Sequence, residues 1–515
     1  MLLYRDIVPE EVKDKQAEPT PTSQTSSYRS IFKATSLFGG LQVYQILISV
    51  IKSKFAAVLL GPAGIGVIGL FQSAMQLIQS LSAMGLASSA VRDVSEANGT
   101  GDQGRINRVV TVLRRLVWFT GLLGMLIILV LSPVLSKTTF GNYDYVIPFM
   151  FLSVTLLLDQ ICSGQRVVLQ GMRHLKHLAK ASAYGQTLSL IVTVPIYYFW
   201  GVRGIVSTLV LSSTSTLIFT WWYSKKIRIE KEPLTTKQTL KEGSVMLRMG
   251  WAMSLSSIMA YLSSYVLRGF IRQYEGTETV GLYTAGFAIL TTYVGMVFTA
   301  IGTDYYPRLA AVNKDQLKAN DIINQQGEIA SLLLGPMLLV CVIFMPVIVR
   351  ILYSESFLDA NSFILLAVPG MMFKLCSWLV AYQYIAKADM KLFIINEIAG
   401  ATYGLVSNLL GFYYWGLTGL GISFTVSYFI YMIQVIICTH KYYHFRFTTS
   451  FQTLFIIQSI MVVLCLALKK LTGETRLGYS LGSIVIVIVT TWSLFMLNKK
   501  INLLGFLQSK TKRWP

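Results

Sequence analysis

Apolar residues run along this chain in long unbroken blocks, without the alternation of half-buried strands or the single apolar face of water-soluble helices. Blocks near 20 residues match the length of α-helix that crosses about 30 Å of hydrocarbon at 1.5 Å per residue. Fourteen such runs are found, at 31–52, 63–88, 109–134, 145–164, 180–200, 203–223, 246–268, 279–303, 327–352, 361–386, 391–413, 417–438, 451–469 and 478–498. The pattern predicts an all-α polytopic membrane protein of about fourteen transmembrane helices. Residues 1–27 depart from it, being polar, charged and rich in Pro, Ser and Thr. That stretch predicts a disordered tail and contains no secretory signal peptide.

Composition strengthens the membrane reading. Only 13% of the residues are charged and 54% are hydrophobic, where a soluble domain carries roughly 25% charge. The 44 Lys and Arg against 24 Asp and Glu give a net charge of +20. In a soluble chain that excess would suggest nucleic acid; here the positive-inside rule accounts for it, and no nucleic-acid partner is implied. With the N-terminus placed in the cytoplasm, 33 of the basic residues fall in the tails, the even-numbered loops and the adjoining helix ends, and 11 elsewhere. Both termini are therefore predicted to be cytoplasmic.

The most basic stretch, Lys225, Lys226, Arg228, Lys231, Lys237, Lys241 and Arg248, lies between runs six and seven and divides the chain. A weak internal repeat matches that division. The segment from Gly66 to near Arg92 resembles the one from Gly281 to near Arg308, an offset of about 215 residues. The economical parse is a tail at 1–27, a six-helix lobe at 28–224, a basic linker at 225–245, a second six-helix lobe at 246–440, two further helices at 450–498 and a basic tail at 499–515. Two similar bundles able to rock about a site between them are a transporter arrangement.

Few motifs suggest soluble chemistry. Gly64, Gly66 and Gly69 spell GxGxxG, but they open a membrane run after Gly61-Pro62-Ala63 instead of following a strand, so they read as helix-packing glycines. No GxxxxGK[ST] phosphate-binding loop occurs. The five cysteines (Cys162, Cys341, Cys376, Cys438, Cys465) fall in apolar runs without CxxC spacing and read as free thiols. His174 with His177 and His440 with His444 have helical spacing but no carboxylate or cysteine beside them, so no metal site and no metal cofactor are expected.

The informative residues are charges within or beside the runs, because an unpaired charge at mid-bilayer costs about 2.5–3.5 kcal/mol even on lenient scales. Lys374 lies deep in run ten, Asp159 in run four and Glu397 early in run eleven. Lys52 and Lys54 close run one, and Arg268 and Arg272 close run seven. Because runs one and seven are equivalent in the repeat, these cations are expected to face each other across a cleft. Lys52, Lys54 and Arg272 lie close enough to helix ends to snorkel to the interface. Asp159 and Glu397 are either charge partners of Lys374 or sites where a proton or sodium ion binds. A cationic cleft suits an anionic phosphate or carboxylate. Tyr44, Tyr261, Tyr265, Tyr283, Tyr293, Tyr305 and Tyr306 add faces and hydroxyls of the kind that sugars contact.

The order and spacing of several stretches resemble a known family. They are Lys54-Phe-Ala-Ala-Val-Leu-Leu-Gly-Pro-Ala-Gly-Ile-Gly66, Phe140-Gly-Asn-Tyr-Asp144, Val280-Gly-Leu-Tyr283, Tyr305-Tyr-Pro-Arg-Leu309, and Ile385-Ala-Lys-Ala388 followed by Glu397. Over roughly residues 30–440 the chain resembles the polysaccharide-exporting branch of the multidrug/oligosaccharidyl-lipid/polysaccharide (MOP) exporters, above all the Wzx-type O-antigen and enterobacterial common antigen translocases. The resemblance implies two six-helix bundles in a V-shaped, MATE-like arrangement plus two C-terminal helices, in the bacterial inner membrane. It implies alternating access that carries an undecaprenyl-pyrophosphate-linked oligosaccharide from the cytoplasmic to the periplasmic leaflet, with membrane lipid and the glycan-polymerase machinery as partners. By position it assigns Lys54, Arg268 and Lys374 to a substrate-binding cationic cavity, with Arg272 beside them, and makes Glu397, with Asp159, a candidate for Na+ or H+ coupling.

Two other classes fit the composition less well. A multidrug or ion antiporter of the same fold would favour an acidic, apolar cavity. A membrane-embedded glycan polymerase or ligase would carry a large outer loop, whereas the longest outer loop here is about ten residues. A scaffold without transport would not need charges inside runs four, ten and eleven.

Overall fold

The computed structural model describes residues 21–501. Among them, regular structure is entirely helical: α1 (Pro21–Ala83), α2 (Leu86–Thr100), α3 (Gln103–Phe140), α4 (Val146–Gly171), α5 (Leu175–Trp200), α6 (Ile205–Ser224), α7 (Thr236–Ala288), α8 (Met296–Ala311), α9 (Gln316–Leu352), α10 (Asn361–Ala386), α11 (Met390–Tyr443), α12 (Thr449–Thr472) and α13 (Arg476–Ile501). A π-helical turn, Ile289–Val294, precedes α8. Of the predicted tails at 1–27 and 499–515, residues 1–20 and 502–515 lie outside the described residues, while α1 runs through 21–27 and α13 through 499–501.

Ten helical stretches are long and apolar enough to cross a membrane. Four of them are interrupted, at Gly61, Gly201–Gly204, Gly276 and Trp415–Gly416. Divided there, they give fourteen helical segments, each overlapping one of the apolar runs. At least three interruptions are hairpins. Ser189 Oγ donates to Ser212 Oγ (2.8 Å) across the break at Gly201, Arg268 Nε to Thr284 Oγ1 (3.4 Å) across Gly276, and Ser423 Oγ to the Ser407 carbonyl (2.7 Å) across Gly416.

The turns repeat with a fixed period. Residues with positive φ pair up as Gly61 with Gly276, Arg173 with Ala388, and Gly201 with Gly416, each pair 215 positions apart. Around the third pair the sequences are also alike, Trp200-Gly-Val-Arg-Gly204 and Trp415-Gly-Leu-Thr-Gly419. A reversal within one or two residues demands left-handed backbone, which glycine adopts without the Cβ clash of other residues.

The two repeats meet along α1 and α7 in a reciprocal contact. A Cβ on Gly66 would lie 1.8 Å from the Thr277 carbonyl oxygen, and a Cβ on Gly281 would lie 1.8 Å from that of Pro62. Gly69 likewise faces the Thr284 side chain. The GxGxxG pattern is therefore a close-packing surface between helices.

One apolar core runs through both repeats, and a smaller one gathers Leu86, Val110, Leu116, Val168, Ile227 and Met246. The smaller core holds the linker and the start of α7 against α2, α3 and α4 at what we call the basic end, where the Arg108–Glu242 ion pair also joins α3 to α7. Helix starts here satisfy their free N–H groups: Asp102 accepts from Gly104 N (2.8 Å) and Arg105 N (3.3 Å), and Thr235 with Gln238 forms a capping box. α12 and α13 dock on α9 through Gln458 beside Gly335, Phe451 beside Gly327 and the Lys500–Glu328 ion pair (2.6 Å). Much of the helix surface elsewhere is apolar, with Val130 and Phe199 each 75% exposed, as suits contact with hydrocarbon.

Candidate functional site

Polar side chains inside the apolar helices gather around one large cavity in the first repeat. Its volume is about 720 Å³, and it is bounded by α1, α4, α5 and α6. α1 contributes Gln45, Ser49, Lys52 and Gln79; α4 contributes Asp159, Ser163 and Arg166; α5 contributes Gln186 and Ser189; α6 contributes Ser212, Ser213 and Thr216. The π-helical turn adds Thr292 from the second repeat. Lys52 is held by two hydroxyls, Nζ donating to Ser189 Oγ (2.9 Å) and Ser212 Oγ (3.2 Å). Asp159 hydrogen-bonds with Ser213 in the field of Arg166, which is exposed nearer the basic end. Two cations, one carboxylate and a lining of amides and hydroxyls thus share one space.

The polar lining continues into the second repeat. A smaller space of about 250 Å³ shares Gln79 and Ser163 with the first and reaches Ser254, Ser257 and Tyr261 of α7. A separate pocket of about 280 Å³, lined by Ser256, Met259 and Ser263 of α7, contains Glu397. The Glu397 carboxylate accepts hydrogen bonds from Ser256 Oγ and from Tyr431 Oη (2.8 Å). Phe287, Tyr403, Phe424 and Tyr428 give this pocket an aromatic wall.

The expected site residues do not form one cluster. Asp159 and Glu397 lie in different pockets, and neither forms an ion pair with Lys374 among the described residues. Aromatic rings face Lys374 instead, its Nζ lying 5.6 Å from the centre of Phe298 and 5.4 Å from that of Tyr428. Such contacts stabilise a desolvated cation by about 2 kcal/mol. Arg268 packs over Tyr283 (5.5 Å) and donates to Ser264 and Thr284 hydroxyls.

Lys54 and Arg272, expected beside the cationic cavity, line none of the three spaces described above and bind helix-end carbonyls. Lys54 Nζ donates to the Arg350 carbonyl at the end of α9 (2.6 Å), and Arg272 Nη1 donates to the Phe140 carbonyl at the end of α3 (2.6 Å). Each repeat thus sends a cation from its first helix to the C-terminal carbonyls of the third long helix of the other, where cations are favoured by the helix dipole. Gly141 makes room for Arg272, since a Cβ there would lie 2.4 Å from Nη1.

Arg166 is a cavity cation that sequence reasoning missed, and Lys52, expected to face a cleft but able to snorkel, was left out of the assigned cavity. The signal was present as polar stripes at helical spacing within apolar runs, Gln45-Ser49-Lys52 and Asp159-Ser163-Arg166. Of the tyrosines, Tyr261 lines the polar path and Tyr44 hydrogen-bonds Thr187, whereas Tyr265 binds Thr138 and Thr139 and Tyr305 is buried on the Leu379 carbonyl. The cysteines are free, and among the described residues no group of three His, Cys, Asp or Glu comes together.

An all-α chain of long apolar helices, with turns that recur 215 residues apart and polar side chains set among those helices, has the architecture of a multi-spanning membrane protein. It matches the family model described as "Polysaccharide biosynthesis protein" over residues 56–362, and the chain belongs to that family. It is similar to the Lipid III flippase of Escherichia coli (strain K12), 20% identical over 417 residues that cover 78% of this chain and 96% of that one. Solved structures share its MATE-like fold. The Lipid II flippase MurJ, in an inward closed conformation, superposes with a TM-score of 0.68 at 12% identity, covering 91% of this chain and 99% of that one. An inward-facing multidrug resistance MATE family transporter gives 0.64 at 15% identity, covering 78% and 94%.

Proposed function

We propose that this protein is a flippase that moves an undecaprenyl-pyrophosphate-linked oligosaccharide, an O-antigen or related surface-glycan unit, from the cytoplasmic to the periplasmic leaflet. The observation that carries the reading is the 720 Å³ polar cavity with Lys52, Arg166 and Asp159 inside apolar helices. Family membership and the likeness to a lipid-linked glycan flippase support it. Such a lipid cannot cross unaided, because its pyrophosphate and sugar hydroxyls would enter hydrocarbon at a cost of several kcal/mol for each unsatisfied group. A hydrated path lined by amides, hydroxyls and cations replaces that solvation while the polyprenyl tail stays in lipid. Two six-helix lobes, 28–224 and 246–440, rock about this path, with both termini in the cytoplasm of the inner membrane. Lys52, Arg166, Arg268 and Lys374 supply positive charge to the diphosphate and to acidic sugar groups. Asp159 and Glu397 are the places where a proton or Na+ would favour one state over the other, since a ligand shifts an equilibrium only by its unequal affinity for the two states.

The test is reconstitution into vesicles with transbilayer movement of a polyprenyl-pyrophosphate oligosaccharide as the readout. Wild type accelerates movement, and Lys52→Ala, Arg268→Ala or Lys374→Ala slows it at least about tenfold, the effect of about 1.4 kcal/mol. No acceleration by wild type would refute the flippase; unaltered variants would refute these residues as its site.

A second reading, a multidrug or ion antiporter, is favoured by one observation: a carboxylate within aromatic walls at Glu397 suits an organic cation. Cation-driven dye efflux from the same vesicles, lost in Glu397→Gln, would select it.

A further inference from the structure

A second basic pocket lies outside the polar path. α3 and α6 run in opposite directions, and each carries a cation one turn from an indole, Arg114 with Trp118 and Trp221 with Lys225. Both cations therefore sit nearer the basic end, and both indoles lie one turn deeper. Between them is a cavity of about 430 Å³, floored by Gly164 and Gln165 of α4 and bordered by Lys231 of the linker. Lys225 Nζ lies 3.6 Å from the centre of the Trp221 ring. Arg114 Nε is buried without a hydrogen-bond partner among the described residues. None of Arg114, Lys225 and Lys231 enters an ion pair among the described residues, although nearby Arg108 is paired with Glu242 and Arg115 is bound to Thr239 and the Leu234 carbonyl. Trp118 and Trp221 are 51% and 48% exposed.

We propose that this pocket binds the phosphodiester headgroup of an anionic phospholipid. A phosphodiester keeps its charge at every physiological pH and accepts from the Arg114 fork and from both lysines. Indole rings at that depth match the boundary between headgroup and acyl chain, and basic pockets between membrane helices select anionic lipids. Because Lys231 lies on the segment joining the two repeats, an occupied pocket also holds that segment against the first repeat. The lipid comes from the cytoplasmic leaflet, in keeping with the orientation proposed above; the binding chemistry is independent of what the protein transports.

The test uses the purified full chain in neutral detergent, titrated with phosphatidylglycerol, phosphatidylcholine or inorganic phosphate and followed by native mass spectrometry. Phosphatidylglycerol binds at least tenfold more tightly than phosphatidylcholine, and each of Arg114→Gln, Lys225→Gln and Lys231→Gln lowers that preference about fivefold. Brominated phosphatidylglycerol quenches tryptophan fluorescence in wild type, and Trp118→Phe, which keeps the cations, removes part of that quenching. Lys231→Gln lies on the linker and keeps the test open should Arg114→Gln fail to fold. Equal binding of the two lipids, or a preference that survives all three substitutions, overturns the proposal. Displacement of the lipid by millimolar phosphate with no lipid preference overturns it in favour of a free-ion site.

Discussion

Arg173 and Ala388 occupy equivalent positive-φ turns, at 58° and 56°, and neither is glycine. Left-handed backbone costs a residue with a Cβ about 1–2 kcal/mol. Ala388→Gly is therefore expected to leave the fold intact and raise thermal stability in detergent by up to about 1 kcal/mol. A lower midpoint would show that the alanine methyl has a packing role outweighing its strain. The opposite sign holds at Gly66. Its missing Cβ admits the Thr277 carbonyl, so Gly66→Ala forces α1 and α7 apart and destabilises by about 1–3 kcal/mol. Gly99, with open space around it, is the control: the same substitution there leaves the midpoint within about 0.5 kcal/mol.

Among the elements, the polar stripes of α1 and α4 place cost and use in opposition. Lys52 is a cation among apolar helices, and among the described residues two serine hydroxyls bind it. Buried charges seldom repay their desolvation, and replacing them with apolar side chains is often neutral or stabilising. Lys52→Met is thus expected to match or exceed wild type in thermal stability while transport falls at least about tenfold. Loss of both together would mean that Lys52 holds α1 to α5 and α6 and does not serve the substrate. The contrast with the ion pair at the basic end is instructive. Arg108 holds the Glu242 carboxyl below the usual range, so the pair's contribution to docking α7 on α3 is present above the unfolded carboxylate pKa and is lost as pH falls through the lowered folded value.

At the scale of the molecule, three contacts close the end opposite the linker. Lys54 reaches α9, Arg272 reaches α3, and Gly66 meets Gly281 between them. Each crosses from one repeat to the other, so the rocking proposed above, if it opens this end, separates all three. Replacing both cations, Lys54→Gln with Arg272→Gln, removes two charge-assisted hydrogen bonds of about 1.5–3 kcal/mol each. A cysteine introduced at Ser49 in the cavity should then react with an impermeant maleimide at least about tenfold faster from that side, measured relative to the same cysteine in the otherwise unaltered chain. An unchanged rate would show that the clasp does not govern access.

The sequence by itself determined the spans, because hydrocarbon tolerates only long internally hydrogen-bonded helices, and that requirement is written locally in every run. It also carried an internal likeness at an offset of about 215 residues, and the structure added reversals at Gly61, Gly201, Gly276 and Gly416 with the same period, which depend on the conformational freedom of single residues. Lys374, Asp159 and Glu397 were legible as costly charges within apolar runs, but their neighbours were not. A helical period says which residues share a face; it does not say which face meets which. Only the tertiary structure separated Lys52, which turns toward α5 and α6, from Lys54 two residues later, which reaches α9. It likewise gave Lys374 aromatic neighbours, where the sequence had left open whether Asp159 and Glu397 were its partners. A shift of two residues turns a helical side chain by about 200°, so neighbours in sequence can serve a cavity and a clasp.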